Sequence, residues 1–201
     1  YYVKEKSKLD KEAIIRGTSI YMLDRVIPML PKELSNGICS LNQKEDRFAI
    51  TVLMEINKKG EVVSSDIQKS VIKVTRRMSY KEVQTILDEV EGAEDKEIFN
   101  QKDKKKLLKE CEPYFEHFKR MSELANILNQ RRAKAGSLNL DIPESKITLN
   151  EQGVAIKVEK YDMYFANEII EQFMLTANET VAEKFYWLQA PFIYRVHETP
   201  D

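Results

Sequence analysis

"RFAITVLMEINKKGEVVSSDIQKSVIKVTRRM", residues 47–78, decides the fold class. Two β-prone arms flank Lys58, Lys59 and Gly60, and a glycine-containing connection of that length between such arms predicts a hairpin. The first arm is nearly all apolar, the pattern of a strand covered on both faces. "SYKEVQTILDEV" follows at once. Ser79 can accept from the amide of Glu82 while Glu82 reaches back, and Val83, Ile86, Leu87 and Val90 then line one side of a helix.

The same alternation of hairpin and helix extends in both directions. After a polar stretch from Glu91 to Lys106, apolar residues from Leu107 to Leu128 recur at spacings of three and four, which predicts the longest helix. Pro113 lies inside that pattern, so the helix begins there or bends there, and Gly136 ends it. "SKITLNEQGVAIKVEKY" predicts a second hairpin turning at Glu151, Gln152 and Gly153. A helix over about 165–188 has Ile169, Ile170, Phe173, Met174, Ala177, Val181 and Phe185 on its apolar side. "PFIYRVHE" closes the chain as a short alternating strand.

Toward the N-terminus, "SKLDKEAIIRG" predicts a helix capped by Ser7 or Asp10, with Ala13, Ile14 and Ile15 apolar and Gly17 stopping it. "TSIYML" is β-prone. Between it and the first hairpin, residues 25–47 hold Pro28, Pro31 and the Asn36-Gly37 turn and fit neither regular element. No repeat and no linker divides the chain. The fold class expected is α+β, antiparallel hairpins with amphipathic helices packed over them, in one domain.

Composition limits what this chain can do. Of 201 residues, 42% are hydrophobic and 32% charged, which suits a packed domain rather than a disordered segment. Lys and Arg number 32 against 33 Asp and Glu, a net charge of -1, so any anion site must be local. Cys39 and Cys111 lie far apart in apolar sequence, which suits buried thiols in a reducing compartment. There is no apolar run of about 18 residues and no signal-peptide pattern, so a cytoplasmic location is expected. The opening "YYV" reads as a strand already under way, the sign of a fragment.

Catalytic motifs are scarce. The six glycines are too dispersed for a phosphate-cradling loop. His117 and His197 stand 80 positions apart without a neighbouring nucleophile motif, and His117 beside an apolar helix face is read as structural. The acidic runs are interspersed with lysine and read as solvated surface, not as a metal site. Tyr21, Tyr80, Arg16, Arg25, Arg76, Arg77, Arg131, Arg132 and Lys134 would suit single-stranded nucleic acid, since bases stack on rings and phosphates pair with cations.

Longer signatures sharpen that signal. "VIPMLP" followed by "LSNGICSLN", within residues 7–57, resembles the catalytic RNB domain of the ribonuclease II and ribonuclease R family, the ribonuclease R branch above all. The likeness continues through "IKVTRRMSYKEVQTIL", "QRRAKAGSLNLDIPE", "EIIEQFMLTANETVAE" and "PFIYRVHETP".

The resemblance implies a processive 3′ to 5′ exoribonuclease that hydrolyses single-stranded RNA to nucleoside 5′-monophosphates with magnesium. It implies that residues 1–201 are the central portion of an RNB domain, incomplete at both ends, with the family's aspartate cluster before them and its catalytic arginine after them. No catalytic or metal-holding residue is then expected here, and the isolated piece is expected to be inactive. By the same resemblance Tyr21 matches an aromatic that stacks near the RNA 3′ end. Tyr80 and Glu171 match a pair that contacts ribose and helps select RNA over DNA. Leu138 and Leu140 stand where the family has an aromatic clamp, so that role is not transferred. The irregular passage is expected to form part of the channel floor beside Tyr21. A non-catalytic RNB-like RNA-binding or interaction module is the second reading.

Overall fold

The computed structural model describes residues 2–93, 98–137 and 144–196. They form two compact units interleaved along the chain, one of Tyr1–Ala49, Ser70–Arg77 and Leu140–Asp162, the other of Ile50–Lys69, Met78–Asn139 and Met163–Asp201. At Ala49/Ile50 and Lys69/Ser70 the chain passes between the units inside strands.

The first unit opens with helix α1, Lys8–Arg16, capped by Ser7, whose Oγ accepts from the Asp10 amide. Gly17 closes it at φ 66°, a conformation that only glycine adopts freely. Ala13 alone is buried; Ile14 and Ile15, expected on the apolar side, are exposed. Nine residues make about 2.5 turns, so the side of α1 opposite Ala13 inevitably carries whatever apolar residues the sequence places there.

A two-residue antiparallel ribbon follows, β1 (Ile20–Tyr21) with β2 (Val26–Ile27), pairing Ile20 with Ile27 and Tyr21 with Val26. The irregular passage is thus partly strand. It continues as a π-helical turn, Glu33–Ile38, broken at Gly37. Side chains satisfy much of its backbone. Met29 N–H donates to Ser19 Oγ at 3.0 Å, Asn42 Nδ2 donates to the carbonyl of Asn36 at 3.2 Å, and Arg47 Nε donates to that of Ser40 at 3.1 Å. A segment without ladder partners holds its shape this way. Cys39, expected to be buried, is exposed at the end of this turn, whereas Cys111 is buried.

Strands β3 (Asp46–Ile56) and β4 (Val62–Lys73) form the predicted hairpin. Exposure alternates along β3, and Phe48 is 80% exposed, so the arm expected to be covered on both faces is covered on one. The sheet has two strands, and its apolar run meets packing on one side only among the described residues. Strands β5 (Ser145–Leu149) and β6 (Ala155–Lys160) form the second hairpin, antiparallel, with an irregularity at Thr148/Leu149.

The second unit is built on helices. In α2, Tyr80–Glu91, the capping box is complete: Glu82 N–H donates to Ser79 Oγ at 3.3 Å, and Ser79 N–H donates to Glu82 Oε2 at 2.7 Å. Helix α3, Gln101–Cys111, starts inside the stretch expected to be a polar insertion, with Asn100 as its cap. A short 3-10 turn, Glu112–Tyr114, holds Pro113 and leads to α4, Phe115–Lys134. The predicted long helix is therefore two helices bent at the proline, which lacks the amide a continuous helix needs. Helix α5, Phe165–Trp187, is longer than either.

Ile86, Leu107 and Cys111 form one buried cluster, and Leu87, Ala125 and Ile169 another. Ile86 and Leu87 are at most 1% exposed, each contributing about 1.5–3 kcal/mol by burial. The strand expected at "PFIYRVHE" is absent over residues 191–196, where the chain carries no regular structure. Phe192 instead stacks on Phe185 with ring centroids 4.8 Å apart. Alternation prepares a strand, but no neighbouring edge pairs with it among the described residues.

Candidate nucleic-acid interface

Tyr21 stands in the first unit. Its cross-strand partner is Val26, and Ile27, paired with Ile20, ends β2 where the chain enters the proline-rich passage. The residue is 79% exposed. The ribbon itself is pinned by Arg16, whose Nη1 donates to the carbonyl of Pro28 at 3.0 Å while its Nε pairs with Glu12 at 2.9 Å. A flat ring held on a short, braced ribbon and open to solvent can take a stacked base.

Tyr80 and Glu171 belong to the second unit. Tyr80 is the first residue of α2, directly after the Ser79 cap, and is 41% exposed. Glu171 lies on α5 and is exposed. Helices α2 and α5 run side by side in the same direction, since Gln84 meets Ala166 and Leu87 packs with Ile169 three residues further along each. Glu171 follows the core residue Ile169 by two positions, about 200° round the helix, and so faces away from the three-helix core. Tyr80 precedes Gln84 by one turn and shares its strip. At about 1.5 Å per residue the two levels differ by roughly 13 Å along the helices.

Several cations expected to line a groove have structural partners. Arg131 Nη1 donates to the carbonyl of Gly60 at 3.0 Å, and Arg132 Nη1 pairs with Glu179 at 2.8 Å. Arg25 pairs with Asp24 at 3.6 Å. His117, read as structural, is exposed on α4 and meets Tyr114 edge to face at 6.4 Å. His197, Leu138 and Leu140 lie outside the described residues. No group of three or more His, Cys, Asp or Glu among the described residues is placed to hold a metal ion.

A sequence model of the RNB domain matches residues 1–201. The chain belongs to the RNB-domain family. Ribonuclease R of Thermotoga maritima is 44% identical over 202 residues, covering 100% of this chain and 26% of that protein. The chain thus spans about a quarter of the length of the curated relatives it matches. Mycoplasma genitalium RNase R in complex with ribose methylated single-stranded RNA superposes with a TM-score of 0.79 at 28% identity, over 99% of this chain and 29% of that one. Yeast Ssd1, described as a pseudonuclease, shares the fold at a TM-score of 0.58 and 15% identity, over 92% of this chain and 20% of that one.

Within an RNB domain, the mixed α+β architecture and its small antiparallel sheets are what this chain contributes. Gln84 escaped the sequence reading. It sits four residues after Tyr80 on the expected polar side of α2, yet it is buried and bonded to both Asp88 and Ala166. The signal was a Gln one turn after a helix cap, which by itself does not distinguish a solvated residue from a clamp. No described helix is long and apolar enough to cross a membrane.

Proposed function

We propose that this chain is the RNA-path portion of a longer cytoplasmic 3′ to 5′ exoribonuclease that processively hydrolyses single-stranded RNA to nucleoside 5′-monophosphates. The observation that carries the reading is the RNB-domain match over residues 1–201, supported by relatives that bear the name Ribonuclease R. Tyr21 supplies a stacking face for a base near the 3′ end. Tyr80 offers a ring and a hydroxyl, and Glu171 a carboxylate that accepts a hydrogen bond from the 2′-hydroxyl that DNA lacks. Tyr80 and Glu171 are read together as a pair that contacts ribose.

Magnesium supplies electrostatic stabilisation of the attacking and leaving oxygens in such hydrolysis. The described residues do not fit it, having no cluster of three donors. Under this proposal its ligands, and the catalytic arginine, come from the rest of the parent, and this chain's residues bind and orient RNA.

The fold is shared with a pseudonuclease, and architecture alone does not imply cleavage, so a non-catalytic RNA-binding module is the second reading. Incubating the purified full-length parent with single-stranded RNA and magnesium separates the two. Release of nucleoside 5′-monophosphates from the 3′ end is expected; RNA bound but left intact would establish the module instead.

A further inference from the structure

Helix α5 takes part of its N-terminal capping from another helix. Tyr164, at its N-cap position, lacks the short side-chain oxygen that usually satisfies the first amides. Asn167 Oδ1 accepts from Tyr164 N–H at 3.0 Å, and the amide of Ala166 donates to Oε1 of Gln84 on α2 at 3.1 Å. The other end of that Gln84 amide is also committed, Nε2 donating to Asp88 Oδ1 at 2.7 Å. Gln84 and Asp88 are 7% and 8% exposed. Turning the Gln84 amide over would set oxygen against carboxylate and N–H against N–H, so the network admits one orientation.

The two helices joined by this clamp carry the two proposed ribose contacts. Tyr80 is one turn before Gln84 on α2, and Glu171 is five residues after Ala166 on α5. We infer that Gln84 is a positioning residue for ribose selection: it locks the first turn of α5 against α2, with Asp88 orienting its amide, and so sets the spacing of Tyr80 and Glu171 along an RNA strand. This rests on the reading that those two residues contact RNA.

The test measures binding by the full-length parent, without divalent cation so that nothing is cleaved. Its readout is the ratio of the dissociation constants for a DNA and an RNA oligonucleotide of the same sequence. Gln84→Leu and Gln84→Glu should each lower the ratio about tenfold. The double variant Gln84→Glu with Asp88→Asn rebuilds the network with the charge moved to the other partner. The new amide at position 88 donates to the new carboxylate at position 84, which still accepts from the Ala166 amide. This variant should return the ratio to within about twofold of the parent. A residue that merely stabilised the fold would weaken RNA and DNA binding alike. An unchanged ratio in either folded single variant, or a double variant that fails to restore it, overturns the inference. Should Gln84→Leu not fold, the comparison of Gln84→Glu with the double variant decides. A parent ratio near one removes the reading of Tyr80 and Glu171 and this inference together, whereas a ratio lowered by Glu171→Ala but untouched at Gln84 removes this inference alone.

Discussion

Arg131 Nη1 donates a 3.0 Å hydrogen bond to the carbonyl oxygen of Gly60, across 71 residues of sequence. The tip of the first hairpin is thereby tied to the last turns of α4. Gly60 is buried there at φ 80°, and a Cβ on it would meet Ile127 Cγ2 at 3.3 Å and Arg131 Cδ at 3.4 Å. A cation that resembles a phosphate contact in the sequence is thus a fastener of the fold.

Gly60→Ala should therefore destabilise the protein by about 1–3 kcal/mol, from the left-handed backbone and the tight neighbours together. Urea denaturation monitored by circular dichroism measures it, and an unchanged midpoint would refute the account of this turn.

Glu159 responds to pH through Lys157, whose Nζ lies 2.6 Å from its Oε1 on β6. The hydrogen bond from Lys157 is the largest cause that holds the Glu159 carboxyl below the usual carboxylate value; desolvation opposes it, and the charges of Lys157 and Lys146 add to the lowering. The folded form binds this proton less readily than the unfolded one. The pair's stabilisation is therefore present above the ordinary carboxylate range and is lost as pH falls through the lowered value of the folded state. Titration of the Glu159 side chain by NMR should show the depressed value, and Lys157→Ala should raise it toward the ordinary one.

Tyr21→Ala in the full-length parent should lengthen the smallest RNA remnant, since the last stacking face on the ribbon is gone. The loss of one base stack is expected to cost about 1–3 kcal/mol. Gel analysis of end products checks it; remnants of unchanged length would take Tyr21 out of the RNA path.

Glu171→Ala should reduce the preference for RNA over DNA, because the carboxylate proposed to accept from the 2′-hydroxyl is removed while Tyr80 remains. Competition between the two substrates in one reaction measures this, and an unaltered preference would remove Glu171 from ribose selection.

Local chemistry determines much of this chain independently of its tertiary contacts. The Ser79 and Glu82 box, the turns at Gly60 and Gly153, the Gly17 stop and the break at Pro113 each arise within a few residues, where steric limits and near-neighbour hydrogen bonds act whatever the surroundings. The long signatures carrying the RNB resemblance were legible for the same reason, being contiguous.

Only the tertiary structure decided which apolar residues are covered and which polar ones are buried. Ile14, Ile15 and Phe48 look like core residues by type but have no element packed over them among the described residues, and Cys39 is exposed for the same reason. Residues 191–196 alternate like a strand yet find no edge to join among the described residues. Gln84 reads as a solvated helix residue until its partner, 82 positions away, arrives at the same place. Burial and long-range hydrogen bonds depend on which segments meet in space, and residue type along the chain does not encode that meeting locally.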